Sequence, residues 1–156
     1  MESCQAAESC YTKYMKAFAN PHSTLLVLKR GEELHDKLQA YAREHELKGA
    51  WVQGLGGSGA MTLGYYNLTE HAYEWQEFSD NLEILSLQGN LAWVDSEPFW
   101  HIHGTFGGRD FASVGGHVKE MVVGLTCELL VTPLDAPLTR VFDDETGLKL
   151  LNGSES

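Results

Sequence analysis

Along the chain the spacing of apolar residues changes several times, and each change marks an element. Residues 22–28 carry the run Leu25-Leu26-Val27-Leu28, bounded by Pro21 and Gly31, as a buried strand would. Beyond Gly31 the spacing turns helical. Leu34, Leu38, Tyr41 and Ala42 recur at i, i+4, i+7 and i+8 and make one apolar face. Glu32 and Glu33 suit a helix N-terminus, where the macrodipole favours anions. Glu33 and Lys37 form an outward i, i+4 pair. The pattern predicts one main helix over about 31–47, with His35 and His45 as solvated or capping residues.

From residue 50 onward the spacing is that of strands. Residues 50–55 lead into Gly54-Leu55-Gly56-Gly57-Ser58-Gly59. A phosphate loop fails here, because no Gly-Lys-Ser/Thr follows and no Gly-x-Gly-x-x-Gly opens a helix. These glycines instead predict a tight strand-to-strand connection, or a place where another backbone approaches closely. Residues 61–68 and 72–78 read as strands joined at Thr69-Glu70-His71. Residues 82–91 follow as a strand with Leu82, Ile84 and Ser86 on one face. Residues 95–98 read as a turn, and 99–106 and 118–131 as strands. Pro133 and Pro137 break the tail, leaving 138–142 and 148–151 as short edge segments.

Together these features predict an α+β fold: a single compact domain with a strongly bent, mixed or largely antiparallel sheet and one main helix. Residues 1–20 read as an N-terminal arm with a weak helical stripe of Tyr11, Tyr14, Met15 and Phe18. Residues 21–151 form the domain and 152–156 a disordered tail.

Length and charge narrow the function. A chain of 156 residues suits one domain that buries its core without staples. The net charge is −11, from 22 acidic and 11 basic residues, and only Lys29 and Arg30 are adjacent cations. A duplex binder needs a phosphate-neutralising patch, so this balance argues against DNA as a partner. Apolar runs are too short to span a membrane, and no secretory signal opens the chain, so the expected location is cytoplasmic. The cysteines, Cys4, Cys10 and Cys127, are odd in number and form no Cys-x-x-Cys, which argues against a disulfide framework. Cys127 lies in an apolar run and reads as a buried thiol.

The chemistry is concentrated in Trp100-His101-Ile102-His103-Gly104 and the later Gly115-Gly116-His117. On a strand, His101 and His103 project to one face, with Ile102, Gly104 and Phe106 turned to the core. Two imidazoles at that spacing can reach one cation, and Gly115-Gly116 lets the backbone aim His117 at the same point. Three histidines leave a fourth zinc position open, as catalytic sites do. Imidazole also suits nickel, copper and iron. The plainer alternative is a chance pair on a half-exposed strand.

Several stretches in order resemble the "plants and prokaryotes conserved" (PPC) domain family over about residues 23–135. They are Leu28-Lys29-Arg30-Gly31-Glu32-Glu33-Leu34, Gly54-Leu55-Gly56, Glu83-Ile84-Leu85-Ser86-Leu87-Gln88-Gly89, His101-Ile102-His103 and Gly115-Gly116-His117. The resemblance implies an α+β domain that associates as a homotrimer, with a metal site, zinc in the prokaryotic members, at His101, His103 and His117. The same histidine theme occurs in alpha-acetolactate decarboxylase, whose fold is similar. The AT-hook of the plant members, an Arg-Gly-Arg-Pro core, is absent from this chain.

Three functions follow. The first is a homotrimeric PPC-domain protein with a three-histidine metal site. The second is a metal-dependent enzyme, a lyase or hydrolase, acting on a small carbonyl or carboxylate ligand bound at the metal. There Arg109 would meet a substrate carboxylate and Glu83 would serve as a base or ligand-orienting partner. The plainer readings are a solvated loop cation for Arg109 and a strand-face pair for Glu83. The third is a DNA-binding regulator.

Overall fold

The computed structural model describes residues 16–152. Among them, one helix and a nine-stranded sheet build an α+β domain, as the apolar pattern predicts. The strands are β1 (Lys16–Ala19), β2 (Thr24–Lys29), β3 (Gly49–Asn67), β4 (Ala72–Phe78), β5 (Leu82–Val94), β6 (Glu97–Gly107), β7 (Ser113–Leu134), β8 (Thr139–Asp143) and β9 (Leu148–Asn152). All the strand pairings are antiparallel except the short one between β5 and β8.

The helix α1 (Leu34–Glu44) is shorter than its apolar spacing predicts, because Glu33 is an extended N-cap. One Glu33 carboxylate oxygen accepts from the Asp36 amide at 2.7 Å and the other from the Met121 amide at 3.1 Å. That ties the helix start to β7. Lys37 pairs with Glu32 at 2.9 Å. Leu34, Leu38, Tyr41 and Ala42 are the buried face, as read from the sequence. At the other end His45 is the C-cap and packs on Tyr41, with Glu46 at φ 48 closing the turn.

The sheet is bent by two long strands. β3 spans 19 residues and β7 spans 22, and they pair from Gly49↔Leu134 to Gly64↔His117. The stretch 54–59 is therefore no connection between strands. It is the middle of β3, and the expected strand boundary is replaced by register shifts at Gly54/Gly56, Gly56/Ser58 and Ser58/Met61. Gly56 has φ +146, and a Cβ there would lie 2.1 Å from Thr126 O. Further along the same pairing, a Cβ on Gly124 would lie 2.5 Å from Ser58 O. The other half of the expectation, close backbone approach, is what these glycines provide.

The shifts also move the core from one set of residues to the other. In β3, Ala50 and Val52 are buried before the shifts, and Met61 and Leu63 after them. In β5, a shift between Ile84 and Ser86 passes the buried side from Ile84 to Leu87 and Leu91, so Ser86 does not extend Ile84's face. A single extra residue does this because side chains alternate with period two. Asp95 and Ser96, at φ 52 and φ 68, form a two-residue hairpin turn, and β6 starts at Glu97, earlier than expected.

β3, β5, β6 and β7 close a cycle of pairings, since β5 joins β3 to β6 and β7 joins β6 back to β3. Trp100, Ile102, Phe106, Leu87, Met121 and Leu129 fill the enclosed side, each at most 1% exposed. Each such side chain contributes roughly 1.5–3 kcal/mol relative to exposure. Helix α1 packs against β6 and β7.

At the N-terminus, β1 pairs with β2, so residues 16–19 of the expected arm are an edge strand of the sheet. Tyr11, Tyr14, Met15, Cys4 and Cys10 lie outside the described residues, as do residues 153–156 of the expected tail. Asn152 belongs to β9. Cys127 is buried, and burial pushes its thiol up to about 12. Among the described residues no helix is long and apolar enough to cross a membrane.

Candidate metal site

Alternation along β6 buries Trp100, Ile102, Gly104 and Phe106 and turns Phe99, His101, His103 and Thr105 outward. The start of β7 lies between β6 and β3. His117 therefore faces His103 on one side and Gly64 on the other. The register continues outward from both: His103 is opposite Gln88 on β5, and Gly64 is opposite Trp75 on β4. The result is one cross-strand row, Gln88, His103, His117, Gly64, Trp75, with His101 beside it opposite Asn90.

Within this row the three imidazoles converge. One ligand-capable atom from each lies within 4.8 Å of the others. His103 Nε2 is 3.2 Å from His101 Nε2. Two nitrogens bound to one tetrahedral zinc at about 2.0–2.1 Å stand roughly 3.4 Å apart, so that pair is already at chelating separation. The ring centroids of His117 lie 5.2 Å from His101 and 5.5 Å from His103.

Aromatic side chains wall the site on the β4 side. Tyr73 and Trp75 stack at 4.5 Å, and Tyr73 lies 5.1 Å from the His117 ring. Gly64 makes room for them: a Cβ there would meet Trp75 Cζ3 at 2.5 Å and Tyr73 Cδ1 at 2.9 Å. The wall keeps water from His117 and so disfavours its charged form. Burial, then the neighbouring His101, His103, His35 and Arg140, bring His117 down to about 4. Burial, then Arg140 and His103, bring His101 to about 4. Burial lowers His103 as well.

These residues fit a metal ion by their own chemistry. All three imidazoles are neutral at pH 7, the form that binds metal. His117 Nδ1 is buried with no hydrogen-bond partner among the described residues, and a buried polar atom ordinarily has one. Imidazole nitrogens suit zinc and other divalent transition ions. His103 is exposed and opens on a cleft of about 310 Å³ lined by Ser86, Gln88, Thr105, Gly115 and Gly116.

Of the other residues singled out by sequence, Glu83 and Arg109 line a different cleft of about 520 Å³, with Arg30 and Phe111. None of the three histidines lines that cleft. His35 is no solvated helix residue. Its Nε2 lies 3.1 Å from the carbonyl of Val118, next to His117. His22, His45 and His71 stay outside the cluster, and His71 sits in its turn at φ 49.

Sequence reasoning missed Arg140, Asn90, Tyr73 and Trp75. Arg140 Nη2 donates to Asn90 Oδ1 at 2.9 Å, directly across from His101, and its guanidinium lies 5.4 Å from the Phe99 ring centre. Nothing in the spacing around Arg140 flags it, because the pairing of β8 with the distant β5 brings it to the site. The aromatic pair had a weak signal: Tyr73 and Trp75 alternate on a strand that pairs with a glycine.

Comparison with known proteins agrees with this architecture. The model of the Plants and Prokaryotes Conserved (PCC) domain matches residues 15–135. A metal-containing protein from Archaeoglobus fulgidus is 33% identical, with a TM-score of 0.80 over 90% of this chain and 99% of that one. A candidate DNA-binding protein from Ralstonia eutropha is 28% identical, with a TM-score of 0.84 over 89% and 96%. More distantly, a Staphylococcus aureus protein of unknown function similar to alpha-acetolactate decarboxylase shares the fold at 15% identity. Its TM-score is 0.54, over 75% of this chain and 54% of that one. No curated protein matches the sequence. With its family model spanning most of the chain and a three-histidine cluster at its centre, this protein belongs to the Plants and Prokaryotes Conserved domain family.

Proposed function

We propose that this protein binds one divalent transition-metal ion, zinc by ligand type, through His101, His103 and His117, with a coordination position left for an exogenous ligand. The observation that carries this reading is the convergence of three neutral imidazoles within 4.8 Å on one face of the sheet. The similar Archaeoglobus fulgidus protein is described as metal-containing, which supports it. The test is elemental analysis of protein purified without a histidine tag. About one equivalent of metal per chain is expected, lost in His103→Ala. Substoichiometric metal that the substitution leaves unchanged would sink the reading.

Self-association as a homotrimer belongs to the same proposal. Its support is the family, together with Leu55, Leu85 and Leu125, each more than half exposed on the sheet. Such exposed leucines are interface material when they cluster, and Leu55 and Leu85 share one cleft with Leu25 and Leu130. Light scattering at micromolar concentration should give a trimer mass; a monomer mass counts against it.

A metal-dependent enzyme acting on a small carbonyl or carboxylate compound is the second reading, favoured by the open cleft beside His103. Turnover of such a compound that requires metal and disappears in His103→Ala would establish it. A DNA-binding role draws only on the description of similar proteins and stands against a net charge of −11. Absence of a gel shift at low salt, where phosphate-driven affinity is largest, removes it.

A further inference from the structure

The hairpin of β8 and β9 lies beyond residue 135, where the family match ends, yet it delivers a cation to the histidine face. Arg140, on β8, is half-buried. Its Nη2 donates to Asn90 Oδ1 at 2.9 Å and its Nη1 to the Lys149 carbonyl at 3.1 Å. Asn90 is the direct cross-strand neighbour of His101. The guanidinium also lies over Phe99, which shares the outward face of β6 with His101 and His103. These contacts hold the side chain in place, and no carboxylate of the described residues pairs with it: its partners are an amide oxygen, a carbonyl and an aromatic ring. Its Nε is buried without a hydrogen-bond partner among the described residues. Its positive charge is felt at both His101 and His117, two of the three histidines.

A fixed, unneutralised guanidinium beside a cation site needs a reason, because like charges gathered on one face repel. A bound anion supplies one. We propose that Arg140 is the anion-recognising residue of this site, selecting a small carboxylate that places one oxygen on the metal and its negative charge against the guanidinium. This rests on the metal reading above. It moves the carboxylate-binding role from Arg109, which lines another cleft, to a residue beyond the stretch that the family model matches. Carboxylate selectivity is then a property of the β8–β9 hairpin, and the histidine cluster contributes the ion. The chemistry is charge-assisted hydrogen bonding, for which guanidinium and carboxylate are matched.

The test uses the full chain loaded with cobalt(II), whose visible absorption reports ligands entering the coordination sphere. Lactate and its uncharged amide, lactamide, are titrated against wild type, Arg140→Gln and Arg140→Lys, with cobalt content measured in parallel. Wild type should bind lactate about tenfold more tightly than lactamide, a typical size for one charge-assisted contact in a half-exposed site. Arg140→Gln should reduce lactate to the level of lactamide at unchanged cobalt content, and Arg140→Lys should restore part of the preference. A merely structural role for Arg140 would not alter the preference for charge. If Arg140→Gln keeps the wild-type preference with cobalt bound, the role assigned to Arg140 is wrong while the metal reading stands. If wild type takes up no cobalt, the metal reading fails and this proposal falls with it. Equal binding of lactate and lactamide by wild type overturns the proposal without reference to any variant, so it does not depend on how well the variants fold.

Discussion

Two of the glycines on β3 where it pairs with β7, Gly56 and Gly64, differ in what surrounds the missing Cβ. At Gly56 the obstacles are backbone: Thr126 O at 2.1 Å and Cys127 Cα at 2.8 Å, with φ at +146. At Gly64, further along the same strands, they are the rings of Trp75 and Tyr73 at 2.5 and 2.9 Å. Backbone cannot yield without loss of the sheet, whereas rings can turn. The first glycine therefore belongs to the architecture and the second to the site. What a glycine is for can be read from what a methyl group would strike.

Substitutions test that distinction, beginning with the largest effect. Gly56→Ala should cost about 3 kcal/mol or more, combining strained backbone with a collision that has no exit. Metal binding should disappear with the fold. An unfolding midpoint in denaturant equal to wild type would break the comparison at its stronger end. His117→Ala should have the opposite profile. Metal affinity should fall by at least about 100-fold, beyond the usual effect of an outer partner. The fold, followed by circular dichroism, should persist.

Gly64→Ala falls between them. Displacing Trp75 and Tyr73 should cost about 1–2 kcal/mol as overpacking and weaken metal by about tenfold, through disturbed His117 packing. If Gly64→Ala destabilises as much as Gly56→Ala, the rings are no softer than backbone and the distinction is lost. A gentler effect comes from pH. In the folded protein His101 and His117 sit at about 4, against an ordinary 6.5. As pH falls below 6.5 the unfolded chain takes up protons first. Metal-free stability is therefore full above about 6.5, declines down to about 4, and is flat below as far as these two groups are concerned. His117→Gln should lessen that slope in pH-dependent denaturation curves. Smallest of all, Arg109→Ala should leave metal affinity unchanged, since its side chain lines a cleft without the histidines.

The parts of this molecule legible in its sequence are those set by short-range spacing. The helix face from Leu34 to Ala42 and the shared face of His101 and His103 follow directly from periods of 3.6 and two. Interruptions of period were harder. β3 read as two strands because its glycines resemble a connection, when they mark bulges in one continuous strand. The same effect hid the change of face after Ile84. The bond between Glu33 and the Met121 amide was out of sight, because it depends on a strand more than eighty positions away. Arg140 was invisible for the same reason. Its meaning lies in Asn90 and Phe99, which reach it only after the sheet has closed.

β7 carries a further consequence. It is the partner of β2, β3 and β6 together, and two of those pairings span great stretches of chain, such as Leu26↔Leu129 and Val52↔Val131. Closing such loops costs chain entropy before any contact rewards it, which makes assembly slow. A polypeptide leaving the ribosome N-terminus first has β2, β3 and β6 each with one edge unclaimed until β7 emerges. Unclaimed edges are templates for neighbouring chains. The yield of soluble protein is thus governed by how soon residues 113–134 follow the rest, and slowing translation just ahead of them should lower it.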